Sequence, residues 1–188
     1  GTQMELRTAC SPEDMKHYTT ERLRKEFLIQ KLFVPGEIRL VYSHIDRIIT
    51  GACMPQSPVR LTAGEELRAE YFLQRREMGV INIGAKGSII VDGREYPVDH
   101  KDGMYIGMGA KDIVFKSEDA QNPAKFYINS VPAHTSYPTV LIKLEGEPED
   151  GVVIIKKENK VELGTLEESN HRVINKYIVT GQVDSCQL

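Results

Sequence analysis

From about residue 29 onward, apolar residues recur at every second position and turn residues interrupt them at short intervals. Residues 38–43 alternate in this way directly after a Pro35-Gly36 turn. This period-two pattern is typical of a half-buried strand. The same pattern predicts strands at 47–53, 59–62, 71–75, 79–83, 88–91, 94–98, 104–106, 112–116 and 126–130. Many short strands at this spacing predict an all-β fold, an antiparallel sandwich or barrel.

Asp92-Gly93 carries the strongest local signal in the chain. The pair separates two alternating segments, 88–91 and 94–98. An Asp-Gly pair in that position favours the tight turn of a β-hairpin, since both central residues of the turn need a positive φ.

Both ends of the chain have a different character. Ser11-Pro12 and Thr20-Glu21 each resemble a helix start, and Leu23 and Phe27 form an apolar stripe. We therefore expect a short helical arm over residues 1–28, before a sandwich over 29–143. Residues 144–188 begin with an acidic loop and continue with a predicted strand at 152–155, a short helix near Thr165 and a last strand or arm at 172–179. This segment is interpreted as a connecting arm.

Composition narrows the classes of function. The 188 residues are 40% apolar and 27% charged, with a net charge of −3 and a pI near 6.0. This balance argues against a nucleic-acid partner, and no apolar run approaches the length of a membrane span. The first residues show no basic-then-apolar leader. The cysteines, Cys10, Cys53 and Cys186, form no Cys-x-x-Cys pair. Free thiols and a cytoplasmic location are expected.

The glycines of residues 87–109 are spaced like the turns of a cupin barrel. Cupins usually bind a metal with a His-x-His pair, a glutamate and a later histidine. Aligned on this frame, Glu77 takes the place of the glutamate, but Glu70, Phe72 and Asp112 stand where histidines are expected. We interpret Glu77, beside Arg75 and Arg76, as a charge at a strand end, and this barrel as free of metal.

Six phrases narrow the resemblance further. Together they closely resemble 5-keto-4-deoxyuronate isomerase, in the same order and from about residue 23 to residue 188. They are YSHIDRII at 42–49, YFLQRRE at 71–77, GVINIG at 79–84, PAKFY at 123–127, PAHTSYPT at 132–139 and INKY at 174–177.

That family has two cupin-type sandwiches in one longer chain, with zinc held in the second. The resemblance therefore implies that this chain is the amino-terminal, non-metal part, and that every metal ligand is expected beyond Leu188. It implies a ketol-isomerase of pectin degradation, which converts 5-keto-4-deoxyuronate to 3-deoxy-D-glycero-2,5-hexodiulosonate. It also implies a uronate as the small-molecule substrate and a homo-oligomer, with hexamers as the expected form.

The candidate site residues follow from chemistry. His134, in a turn-rich loop between two prolines, and His44 are the candidate bases. Asp46 follows His44 by two residues, so in a strand both would point to one face, where the carboxylate could orient the imidazole. Arg47 and Arg172 are the candidate clamps for a uronate carboxylate. With Asp46 they form the candidate substrate-binding set.

Each of these residues also has a structural interpretation. His44, Asp46 and Arg47 could form a charge network at a strand end, and His134 could be a packed loop residue. Two other functions stay open. One is a metal-free cupin that acts as a sugar-acid binding or assembly module. The other is an independent isomerase that uses protein bases alone, such as His134.

Overall fold

The computed structural model describes residues 2–7, 32–147 and 149–154. Within them the chain forms twelve strands. They are β1 Thr2–Arg7, β2 Ile38–Ser43, β3 Ile49–Cys53, β4 Val59–Arg60, β5 Arg76–Asn82, β6 Gly87–Val91, β7 Arg94–Val98, β8 Gly103–Ile106, β9 Ile113–Ser117, β10 Phe126–Pro132, β11 Val140–Lys143 and β12 Val152–Ile154.

The strands form two sheets. The large sheet has the order β1-β2-β3-β10-β5-β8-β11-β12, and the small sheet has the order β4-β9-β6-β7. All pairs inside the sheets are antiparallel, whereas the two outermost pairs of the large sheet, β1–β2 and β11–β12, are parallel. The predicted all-β sandwich is confirmed. Its antiparallel character holds for the inner pairs and not for these outer ones.

One apolar core lies between the sheets. Phe115 of β9 and Phe126 of β10 meet there, with ring centroids 5.4 Å apart. Both sheets contribute alternate residues to this core. The large sheet supplies Ile38, Leu40, Ile49, Met78, Val80, Met104, Ile106 and Ile128, and the small sheet supplies Val59, Ile89, Val91, Tyr96, Val98 and Ile113.

The other face of the large sheet is covered as well. Ile81, Tyr105 and Ile142 form a second buried cluster there. Consequently all seven residues of β5 are buried. In antiparallel sheets one face is commonly exposed to solvent, but here both faces of β5 are covered.

Asn82, at the end of β5, ties the two sheets together. Its Nδ2 donates to the carbonyls of Ala85 at 2.7 Å and Val98 at 2.8 Å, and Val98 belongs to the small sheet. Its Oδ1 accepts from the amides of Gly84 at 2.9 Å and Lys125 at 3.1 Å. The fully buried amide is thus saturated with hydrogen bonds.

The hairpin prediction is confirmed. β6 and β7 pair in register around Asp92 and Gly93, whose φ angles of 47° and 86° are both positive, as the tight turn requires.

The strand predicted at 71–75 is wrong, because these residues form turns and β5 begins at Arg76. The amide of Gln74 donates to the carbonyl of Tyr71 at 3.2 Å, which closes a turn. Phe72 and Leu73 are nevertheless buried, so the apolar signal came from a turn that packs on the core.

Two strands were not predicted. β11 follows the proline-containing loop of residues 132–139, and β1 lies inside the segment expected to be a helical arm. For residues 2–7 the helical expectation is therefore corrected to a strand, which joins β2 as an outer strand of the large sheet. The helix starts at Ser11 and Thr20 lie outside the described residues. The predicted strand near residue 152 is confirmed as β12, and residues 155–188 lie outside the described part.

Two glycines give a test of the packing. At Gly51 an added Cβ would lie 2.3 Å from the carbonyl oxygen of Arg39, which is backbone of the neighbouring strand and cannot move alone. We expect Gly51→Ala to lower the free energy of unfolding by about 2 kcal/mol or more through overpacking. Urea denaturation followed by circular dichroism measures the change.

Gly93→Ala is the matched control. No atom lies within 4 Å of the added methyl, and only the φ of 86° opposes it, so the expected loss is about 1 kcal/mol. Equal losses for the two variants would contradict the close approach of β2 and β3.

Candidate functional site

A cavity of about 680 Å³ lies beside the start of β5. This volume is within the range of small-molecule pockets. It is bounded by the ends of β2 and β10, by the turn after β2 and by the loop of residues 66–75. The lining residues are Tyr42, Arg47, Glu66, Leu67, Arg68, Ala69, Phe72, Arg75, Arg76, Pro132 and Ala133.

The lining is strongly basic. Four arginines against one glutamate give it a formal charge of +3, whereas the whole chain carries −3. Within the part of the chain that the structure describes, none of the four arginines forms an ion pair with a carboxylate. Among the described residues, no carboxylate is paired with the positive charges of this cavity.

Arg76 is the fixed member of the group. Arg76 is the first residue of β5 and is only 7% exposed. Nε donates to Ser130 Oγ at 3.1 Å, and Nη2 donates to the carbonyls of Ser130 at 2.9 Å and of Arg47. Among the described residues Nη1 has no acceptor. Within the described residues the guanidinium is thus held by neutral groups, and no carboxylate pairs with it.

Ser130 is positioned by the same strand pair. β10 and β5 are antiparallel neighbours, and Ser130 Oγ donates to the carbonyl of Glu77 at 2.6 Å. The Ser130 hydroxyl therefore donates to the backbone carbonyl of Glu77 and accepts from Nε of Arg76. This arrangement sets the orientation of the guanidinium plane.

Burial and a like charge act on Arg76. Burial lowers the pKa of Arg76 to about 10, while Tyr42 raises this pKa and the nearby Arg47 lowers it. The Arg76 Cζ lies 5.9 Å from the centroid of the Tyr42 ring, within the range of a cation–π contact. Because a pKa of about 10 is well above neutral pH, the guanidinium remains charged at pH 7.

The other three arginines lie on exposed turns. Arg47 and Arg68 have φ angles of 59° and 47°, which only a minority of non-glycine residues adopt. Arg75 Nη2 donates to the carbonyl of Arg68 at 3.0 Å, and the amide of Ala133 donates to the carbonyl of Arg75 at 3.0 Å. These bonds fasten the 68–75 loop to the end of β10, so three backbone segments present arginines to one cavity.

Of the predicted site residues that the structure describes, Arg47 alone lines this cavity. His44 and Asp46 would share one face only in a strand, but residues 44–46 form a turn and β3 begins at Ile49. His44 contacts the edge of the Tyr42 ring, with centroids 5.0 Å apart. Asp46 Oδ1 accepts from the amide of Ile48 at 3.2 Å, so it closes the turn and does not orient a histidine.

His134 is exposed in the loop that follows β10, next to the lining residue Ala133. Arg172 lies outside the described residues. Arg68, Arg75 and Arg76 were missed as site residues. The available signal was the Arg75-Arg76 pair at the start of a buried strand, which the expectation of a strand over residues 71–75 obscured.

The residues on the cupin metal frame do not come together. Glu77 is the second residue of β5, so it lies at a strand end, but it is fully buried and accepts from Tyr105 Oη at 2.9 Å. Asp112 is paired with Arg60 at 2.6 Å on the small-sheet side, and Phe72 packs in the core. No group of three His, Cys, Asp or Glu side chains within the described residues could hold a metal. These residues therefore do not fit a zinc site, and no metal chemistry is assigned to them.

Two further findings bear on the sequence analysis. Cys53 is a free, fully buried cysteine, and burial raises the pKa of its thiol. Cys10 and Cys186 lie outside the described residues. In the described part of the chain no helix is long and apolar enough to span a membrane.

Several solved structures are similar to parts of this chain. The cupin domain of Cnp3 from Schizosaccharomyces pombe overlaps 50% of this chain and 63% of its own, with a TM-score of 0.38 and 6% identity. A cupin protein from Bacteroides fragilis overlaps 57% and 79%, with a TM-score of 0.33 and 17% identity. Such partial overlap adds nothing to the strand order, which itself defines the sandwich.

Curated relatives are much closer in sequence. A protein of Lachnoclostridium phytofermentans, named 4-deoxy-L-threo-5-hexosulose-uronate ketol-isomerase, is 69% identical over 186 residues. A protein of Lachnospira eligens with the same name is 55% identical over 186 residues. Each match covers 98% of this chain but only 63% and 64% of the respective relative, so the chain spans less than two thirds of their length. Residues 27–188 match the family model described as the KduI/IolB family, and the chain belongs to that family.

Proposed function

We propose that this chain is the non-metal part of a ketol-isomerase that converts 5-keto-4-deoxyuronate to 3-deoxy-D-glycero-2,5-hexodiulosonate. The observation that carries the proposal is the 69% identity, over nearly the whole chain, to a relative named as a uronate ketol-isomerase. The family phrases lie at six places between residues 42 and 177, so the likeness is not confined to one motif.

The reaction defines which groups the complete enzyme needs. A proton moves between adjacent carbons while negative charge collects on a carbonyl oxygen. A cation that polarises this carbonyl and a base with a pKa near neutrality would accelerate such a transfer. We place the zinc ligands in the part of the longer relatives that this chain does not cover. The described residues would then supply scaffold and contacts to the substrate.

An isomerase that relies on protein bases of this sandwich is less well supported. A general base works best when a second group orients its ring. His134 and His44 are both exposed, and within the described residues neither ring accepts or donates a hydrogen bond. Among the described residues, no hydrogen bond orients either ring for a proton transfer.

The first test measures turnover. We expect the purified 188-residue chain to be inactive on 5-keto-4-deoxyuronate, because the Lewis acid that stabilises the enediolate would be missing. A protein extended to the length of the relatives should be active, and a chelator should abolish its activity. Turnover by the 188-residue chain above a heat-inactivated control would contradict the proposal and favour a protein base such as His134.

A second test concerns assembly. Both the assembly and the location of the protein stay predictions. The resemblance implies homo-oligomers, with hexamers as the expected form, and a cytoplasmic site of action. The strand or arm predicted at 172–179, which we expect to take part in this assembly, lies outside the described residues. We expect light scattering at about 100 μM to give a mass above the 21.2 kDa of one chain, since an obligate interface persists at that concentration. A clean monomer would contradict the assembly.

A further inference from the structure

We propose that the arginine cavity beside the start of β5 binds the carboxylate of a small sugar acid. The proposal deepens the proposed function and rests on it for the class of acid, whereas the evidence for a bound anion is the cavity itself. Its starting observation is the group of four arginines, Arg47, Arg68, Arg75 and Arg76, which line one space without an ion-paired carboxylate in the described part of the chain.

Like charges in a shared space repel each other unless an anion lies between them. Arg76 is the sharpest case, because it is 7% exposed and its hydrogen bonds go to Ser130 and to the carbonyl of Arg47, which are neutral. A buried charge without a counterion is costly, and an oxyanion in the cavity would relieve that cost. The same anion would reduce the repulsion between Arg76 and Arg47.

The geometry fits a planar oxyanion. A guanidinium offers parallel N–H groups that match the two oxygens of a carboxylate. Ser130 holds Nε and Nη2 of Arg76 from one side, and Nη1 has no acceptor among the described residues. Arg47, Arg68 and Arg75 are exposed and line the same cavity, so their guanidinium groups can complete the contact to a bound anion.

The rest of the lining favours an organic acid over a bare inorganic anion. Tyr42, Leu67 and Pro132 give apolar surface for a carbon skeleton. Glu66 is the one carboxylate of the lining, and it can accept hydrogen bonds from the hydroxyl groups of a sugar. A cavity of about 680 Å³ has room for a six-carbon sugar acid.

The test uses isothermal titration calorimetry on the purified protein with three probes. They are D-galacturonate, neutral D-galactose and inorganic phosphate. We expect saturable binding of galacturonate, no saturable heat with galactose, and weaker binding of phosphate because it lacks the carbon skeleton. Absence of saturable galacturonate binding up to about 10 mM would overturn the proposal, as would equal binding of galactose. Phosphate that binds as tightly as galacturonate would overturn the assignment to a sugar acid.

Matched variants locate the site. Arg47→Gln removes a charge from the cavity but keeps the backbone carbonyl that accepts from Arg76. We expect it to weaken galacturonate binding at least about tenfold. Arg94→Gln removes the same charge from an exposed arginine of β7 that does not line the cavity, and it should leave binding unchanged. Equal effects of the two variants would refute the site.

A second cavity variant guards against a folding defect. Circular dichroism and thermal melting establish that each variant is folded. Should Arg47→Gln unfold, Arg68→Gln gives the same comparison, because Arg68 is exposed and the substitution retains its carbonyl, which accepts from Arg75. Unchanged binding in this variant would count against the cavity. Binding is measured here without turnover, so a failed activity assay and a failed binding assay are separate results.

Discussion

β5 is buried on both faces, and the arrangement of the described residues follows from this constraint. The strand nevertheless carries Arg76, Glu77 and Asn82, all of them less than a tenth exposed. A buried polar group without a partner would destabilise the fold, so each needs a neighbour in the protein. Asn82 obtains four hydrogen bonds and connects the two sheets at one end of the strand. Glu77 accepts from Tyr105 on the outer face of the large sheet.

Arg76, at the opposite end of β5, is satisfied differently. Its partners are a serine hydroxyl and two carbonyls, which accept hydrogen bonds but do not cancel the charge. A hydrophobic side chain of similar volume would often be equally stable or more stable at such a position. Packing alone therefore gives a weak reason for an arginine here. A group of arginines without ion-paired carboxylates within the described residues is better explained by an anion that binds from solution.

The sequence predicted the parts of the fold that depend on local chemistry. The Asp92-Gly93 hairpin depends on two residues that tolerate a positive φ, and these residue types can be recognised directly in the sequence. The loop at 71–75 was wrongly predicted as a strand because Phe72 and Leu73 are buried in turns. An apolar pattern over five residues does not distinguish a strand from a turn that packs on the core. β1 was missed because its pairing with β2 joins segments more than thirty residues apart.

The candidate site was predictable only in part for a related reason. Arg47 was predicted to bind a uronate carboxylate because it lies in a family-like phrase. However, nothing in the sequence places it beside Arg76, 29 residues further along. Their proximity arises because β3 and β5 both pair with β10, which brings the turn before β3 to the start of β5. The supposed partnership of His44 and Asp46 assumed a strand where the chain turns. Tertiary pairing thus decided which charges meet.

Net charge is a poor guide to the ligand of such a protein, because the local field matters more. The chain carries −3 overall, yet the cavity lining carries +3. Exposed arginines such as Arg68 and Arg75 are screened by salt beyond a Debye length of about 8 Å at physiological ionic strength. Arg76, in contrast, is almost excluded from water and is screened much less. The exposed arginines can therefore draw an anion toward the cavity, whereas the buried guanidinium, oriented by Ser130, determines where its carboxylate comes to rest.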